Sequence, residues 1–182
     1  MSTDTSSTSK ASNTSNTSTT GQGRPGARMG EHVVAVRFSA WGPQEVIVRA
    51  YSEGGRGGAS YLVIGVGACV TYAYDQAAVD SHVTAWQEAD QVNRSVRLPE
   101  FAPTSAHQRH VGEDLAVICN VTAEQRHSVV SSTGPDGRPV LTVTVGAVAV
   151  EVHTTTALRS YLAAWRKAAT VTAMLEDVRD DS

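Results

Sequence analysis

Two stretches of the chain share one pattern of apolar and polar positions. Val66 to Trp86 reads V-G-A-C-V-T-Y-A-Y-D-Q-A-A-V-D-S-H-V-T-A-W, and Val145 to Trp165 reads V-G-A-V-A-V-E-V-H-T-T-T-A-L-R-S-Y-L-A-A-W, 79 positions later without a gap. In each copy a β-branched run meets a Gly-Ala pair and is followed by a second run. Glycine at the first central position of a two-residue loop suits a type II′ turn, so each copy predicts a hairpin. The expected pairs are Tyr61 to Val66 with Cys69 to Tyr74, and Val140 to Val145 with Val148 to His153. Apolar spacing then lengthens to that of a helix: Val79, Val83 and Trp86 in the first copy, Leu158, Leu162 and Trp165 in the second. Asp75 and Thr154 stand at matching positions as N-caps, and each Trp reads as a packing anchor.

Upstream of each copy lie two shorter runs. Val33 to Phe38 and Val46 to Tyr51 flank Ala40-Trp41-Gly42-Pro43, which predicts an opening hairpin. Leu115 to Thr122 and Ser128 to Ser132 are expected to repeat it. Identical pairs between residues 58–96 and 137–175 include Gly58/Gly137, Leu62/Leu141, Ser81/Ser160, Ala85/Ala164 and Val92/Val171. Eleven such pairs stand against about three expected by chance in a chain this rich in Ala and Val. The expected fold class is therefore α+β. It is a tandem duplication of a ββββα unit, with two antiparallel four-stranded sheets, each with a C-terminal helix, packed about a pseudo-two-fold axis.

The expected organisation is a Ser/Thr-rich disordered arm over 1–30, a first unit over 31–97, a linker over 98–114, a second unit over 115–177 and an acidic tail over 178–182. The arm carries too little apolar surface to offset its ordering entropy. In element order over 32–177 the chain resembles the Whirly and PUR-type single-stranded nucleic acid binders, and its single unit resembles the actinobacterial SsgA-like cell-division proteins. That resemblance implies a binding protein and carries over no site residue.

Composition narrows the function classes. The 182 residues carry a net charge of −3, divided as +2 over 1–30, −2 over 31–97 and −3 over 98–182. No half is basic, which argues against duplex DNA and anionic membranes. Arg far outnumbers Lys among many Ala, Val, Gly and Thr residues, the usage of a GC-rich, actinobacterial genome. The longest apolar run, Tyr61 to Val70, is about half a membrane span, and Cys69 and Cys119 read as buried reduced thiols. A cytoplasmic protein is expected.

No catalytic motif and no cofactor fingerprint is present, so a non-enzymatic module is expected, without cofactors. The weak metal candidate is His107-x-x-His110-x-x-Glu113, placed in the linker; a metal-dependent enzyme built on it is the third reading. His82 and His153 match Tyr161 and Tyr74 in the other copy and read as packing residues. The aromatic residues of the strands gather in the first unit. Arg37, Arg49, Tyr51, Tyr61, Tyr72 and Tyr74 are the candidate partner or nucleic-acid face. The leading expectation is a binding or adaptor module that acts through protein–protein contacts, self-association included; the alternative is single-stranded nucleic acid on that face.

Overall fold

A computed structural model describes residues 36–52, 60–101 and 117–180. The expected arm and the triad His107, His110 and Glu113 lie outside the described residues. Eight strands and two helices follow one another as β1 (Val36–Ala40), β2 (Val46–Ser52), β3 (Ser60–Val66), β4 (Cys69–Ala73), α1 (Gln76–Val96), β5 (Val117–Val121), β6 (His127–Thr133), β7 (Pro139–Val145), β8 (Val148–Val152) and α2 (Thr155–Asp180). They form an α+β fold with two four-stranded, mainly antiparallel sheets and two helices.

The inner hairpins form as the pattern predicts. Val66 pairs with Cys69 and Val145 with Val148, each across a two-residue loop. Gly67 and Gly146 take φ of +56° and +58°, the conformation for which glycine was expected there.

The opening hairpins do not form. Sheet I has the order β2-β3-β4-β5 and sheet II the order β1-β8-β7-β6. β1 runs parallel to β8, with Val36 opposite Val148, and β5 runs parallel to β4, with Cys69 opposite Val117. Each sheet thus contains one parallel pair and draws an edge strand from the other stretch of the chain. The helices cross over as well: α1, which follows β4 of sheet I, packs mainly on β6 and β7 of sheet II, and α2 packs on β2 and β3 of sheet I.

The reason lies in the connections. The β1–β2 connection does not fold back on itself. The Gly42 amide donates to Thr154 Oγ1 at 2.9 Å and the Gln44 amide to Ser160 Oγ at 3.0 Å, both at the start of α2. In the β5–β6 connection the Ala123 amide donates to Asp75 Oδ2, and the Gln125 amide to Ser81 Oγ at 3.0 Å, both at the start of α1. Asp75 and Thr154 also cap their own helices, accepting from Ala78 N at 2.8 Å and Ala157 N at 3.2 Å. One side chain thus closes a helix end and holds a strand crossover.

The core lies where the inner faces of both sheets meet the helices. Leu62, Ile64 and Val66 from sheet I join Leu141, Val143 and Val145 from sheet II. Both helix tryptophans are buried, as anchors should be. The His82 ring stacks on Trp165 at 3.8 Å and 5°, and Trp86 stacks on Tyr161 at 4.3 Å and 18°. Neither ring nitrogen of His82 has a hydrogen-bond partner among the described residues. Burial, reinforced by His127, therefore lowers its pKa to about 3 and keeps it neutral.

Two predictions follow from these contacts. Asp75→Ala and Thr154→Val each remove an acceptor shared by a helix end and a crossover, so each should cost about 2 kcal/mol, the upper end for a cap, in urea unfolding. For His82 the unfolded ring takes a proton near pH 6.5 and the folded ring does not until about pH 3. Its contribution is complete above pH 6.5 and is lost as pH falls toward 3, reaching on the order of 5 kcal/mol. Between pH 7 and 4 the wild type should lose several kcal/mol more stability than His82→Phe, as read by denaturant melts at each pH.

Candidate binding face

Strand alternation sends every second residue of sheet I away from the core. On β2 these are Ile47, Arg49 and Tyr51; on β3, Tyr61 and Val63; on β4, Val70 and Tyr72, with Tyr74 next after the strand's end; on β5, Ile118 and Asn120. Register brings the rings together. Tyr51 lies opposite Tyr61, and Val63 opposite Tyr72. Tyr61 is the hub: its ring stacks on Tyr51 at 5.5 Å and 17°, and meets Tyr74 at 5.6 Å and Tyr72 at 5.9 Å in tilted pairs. Offset and tilted rings at these separations attract one another through their quadrupoles, which holds the four as one layer.

The layer is not covered by either helix. Tyr51 and Tyr74 remain 42% and 43% exposed, and the flanking Ile47 and Ile118 are 40% and 62% exposed. The Tyr74 hydroxyl donates to Asn120 Oδ1 at 3.3 Å, which ties the aromatic layer to edge strand β5. Arg49 stands exposed beside Tyr51 and makes no ion pair among the described residues.

Five of the six residues singled out in the sequence, Arg49, Tyr51, Tyr61, Tyr72 and Tyr74, therefore share this face. Arg37 does not. It lies on sheet II, where its guanidinium pairs with Glu151 at 3.1 Å and Ser39 Oγ donates to the same carboxylate at 3.2 Å. The outer face of sheet II mixes hydroxyls with aliphatic residues, and its strands carry no aromatic ring on that side: Ser128, Ser132, Thr142 and Thr144 face outward together with Val130, which is 55% exposed. Ile118 and Asn120 were missed as members of the tyrosine face, because they arrive with β5 by the strand exchange. The run V-I-C-N-V has no alternation of polarity from which a reader could infer its outward side.

Both histidines read as packing residues stand in ring stacks. His153 lies on Trp41 at 3.9 Å and 6°, and its pKa is lowered by burial, with Glu151 and Asp136 opposing that shift. Among the described residues no three His, Cys, Asp or Glu side chains are grouped to hold a metal ion. No described helix is long and apolar enough to cross a membrane.

No protein-family model, no curated protein and no solved structure matches the chain. The reading of this face therefore rests on its own chemistry.

Proposed function

We propose that the chain is a non-enzymatic binding module that takes a protein partner on the outer face of sheet I. The observation that carries this reading is the layer of four packed tyrosines, flanked by Ile47 and Ile118 and covered by no helix among the described residues, with Tyr51 and Tyr74 exposed. A contiguous exposed apolar patch of this kind is costly to leave in water, and tyrosine is enriched where proteins meet. Its rings are already packed on one another, so binding orders few side chains. A second copy of the chain is one partner that this surface suits. Two unpaired thiols accord with work in a reducing cytoplasm.

The framework behind the face is read as a tandem duplication of a ββββα unit, arranged about a pseudo-two-fold axis. Matched contacts support this reading: Gln44 to Ser160 with Gln125 to Ser81, and Gly42 to Thr154 with Ala123 to Asp75. The copies differ in what they show to solvent. Sheet I carries the rings, and sheet II carries hydroxyls, the exposed Val130 and the Arg37–Glu151 pair.

The stacked Tyr51 and Tyr61 favour a second reading, single-stranded nucleic acid. Aromatic rings on a sheet accept unstacked bases, and Arg49 beside them supplies a phosphate contact. The element order that resembles the Whirly and PUR-type proteins points the same way. Charge favours the first reading, since Arg49 is the one basic residue among the described outward positions of sheet I.

Two measurements separate the readings. Tyr51→Ser and Tyr74→Ser should each weaken a captured protein partner, or the chain's own association by light scattering, at least tenfold, while Val130→Ser on sheet II leaves both unchanged. Equal binding by all three variants would refute the protein reading. Fluorescence anisotropy with a dT20 oligonucleotide at low salt tests the alternative. Salt-sensitive binding that weakens on Arg49→Ala and Tyr61→Ala supports it, and a flat titration removes it.

A further inference from the structure

β2 is an outer strand of sheet I, and among the described residues no strand pairs with its free edge. Its backbone phase follows from its neighbour. The Gly67 amide donates to the Glu45 carbonyl at 3.0 Å, and Val46 stands opposite Val66. Hydrogen-bonded and non-bonded pairs alternate in an antiparallel ladder. Glu45, Ile47 and Arg49 therefore turn their amides and carbonyls toward β3, while Val46, Val48 and Ala50 turn theirs to the free edge. The strand has no proline or lysine and pairs with β3 without a bulge, so the devices that commonly block an edge are missing. Such an edge accepts another extended strand, and the side chains say which one. By alternation Glu45 and Arg49 point to the outer side of the sheet, on either side of Ile47. All three are exposed, and neither charge has an ion pair among the described residues.

We infer that a second copy of the chain pairs antiparallel along β2, about a two-fold axis at Ile47. The inference rests on the reading of the outer side of sheet I as a protein-binding surface, and it names the partner. In this register Ile47 stands opposite the partner's Ile47, and Glu45 opposite the partner's Arg49, twice by symmetry. The backbone phase agrees. The axis falls on a residue whose own polar groups face β3, where opposed side chains approach most closely, and Val46 exchanges its free amide and carbonyl with the partner's Val48. Other registers lose the charge match: an axis at Val48 sets Ile47 against Arg49, and an axis at Arg49 sets two guanidinium groups against each other. The corresponding edge of sheet II offers no such match. The Gly146 amide donates to the Arg126 carbonyl, so on β6 Arg126, Ser128 and Val130 take the places of Glu45, Ile47 and Arg49. Two β6 edges would bring no opposite charges together, and β2 against β6 would set Arg49 on Arg126. Pairing along β2 merges two copies of sheet I into one sheet with both tyrosine layers on the same side.

Sedimentation velocity of the full chain over a concentration series tests the pairing. The wild type should dimerise, less tightly as salt is raised. Glu45→Arg and Arg49→Glu each set like charges opposite one another twice and should weaken the dimer about tenfold. The double variant Glu45→Arg/Arg49→Glu should restore it. A mixture of the two single variants should form mixed dimers tighter than either variant alone, because each supplies the charge that the other lacks. A monomer at every concentration, single variants that associate like the wild type, or a double variant as weak as the singles would each overturn the inference. The reading of the face fails or stands separately. If Tyr51→Ser and Tyr74→Ser lose a captured protein while the charge variants change nothing, the rings bind another protein and the β2 edge is not the contact.

Discussion

Four backbone amides in the strand crossovers end on side chains at the starts of the two helices, and the architecture depends on where they end. Gly42 and Gln44 are held by Thr154 and Ser160, Ala123 and Gln125 by Asp75 and Ser81. These amides are partly or fully exposed, so each bond contributes about 1 kcal/mol, and the four together favour the crossover over a local hairpin. Once the crossovers are fixed, β1 must lie beside β8 and β5 beside β4. The two sheets can then no longer be separated without breaking both parallel ladders.

The same exchange shapes the candidate face. The tyrosines lie on β2, β3 and β4 and just past the end of β4, but the layer ends against β5, where Asn120 receives the Tyr74 hydroxyl and Ile118 extends the apolar surface. Helix α2 covers the inner side of β2 and β3, which leaves the outer side free to carry rings. Sheet II has a comparable free side and fills it with hydroxyls, one ion pair and aliphatic side chains such as Val130, without an aromatic ring on its strands there. The contrast in chemistry between two similarly built surfaces is the main reason to assign binding to one of them.

Much of this was legible in the chain itself. The glycine-first turns, the N-caps at Asp75 and Thr154 and the tryptophan-anchored stripes are local signals, and local signals record local geometry. Alternation also placed Arg49 and Tyr51 on one side of β2. The choice of strand partners was not legible. Ala40-Trp41-Gly42-Pro43 has turn chemistry whether the chain reverses or crosses over, and what decides is a hydroxyl more than 110 positions away. Arg37 was drawn into the tyrosine face for that reason: its strand was assigned to its sequence neighbour. Ile118 and Asn120 were left out for the same reason.

Pairing β1 with β8 has a consequence for how the chain is made. Val36 of the first strand meets Val148 of the last, so during N-to-C synthesis β1 leaves the ribosome long before its partner exists. Until β8 and the start of α2 emerge, Phe38 and Ala40 have no sheet to join, and the crossover amides at Gly42 and Gln44 have no acceptors. β4 likewise waits for β5 as its parallel neighbour. β1 thus keeps an open edge until β8 has been made, and their pairing is a non-local and therefore slow step. For such a chain the time between first and last strand is the interval in which association with other nascent copies competes with folding.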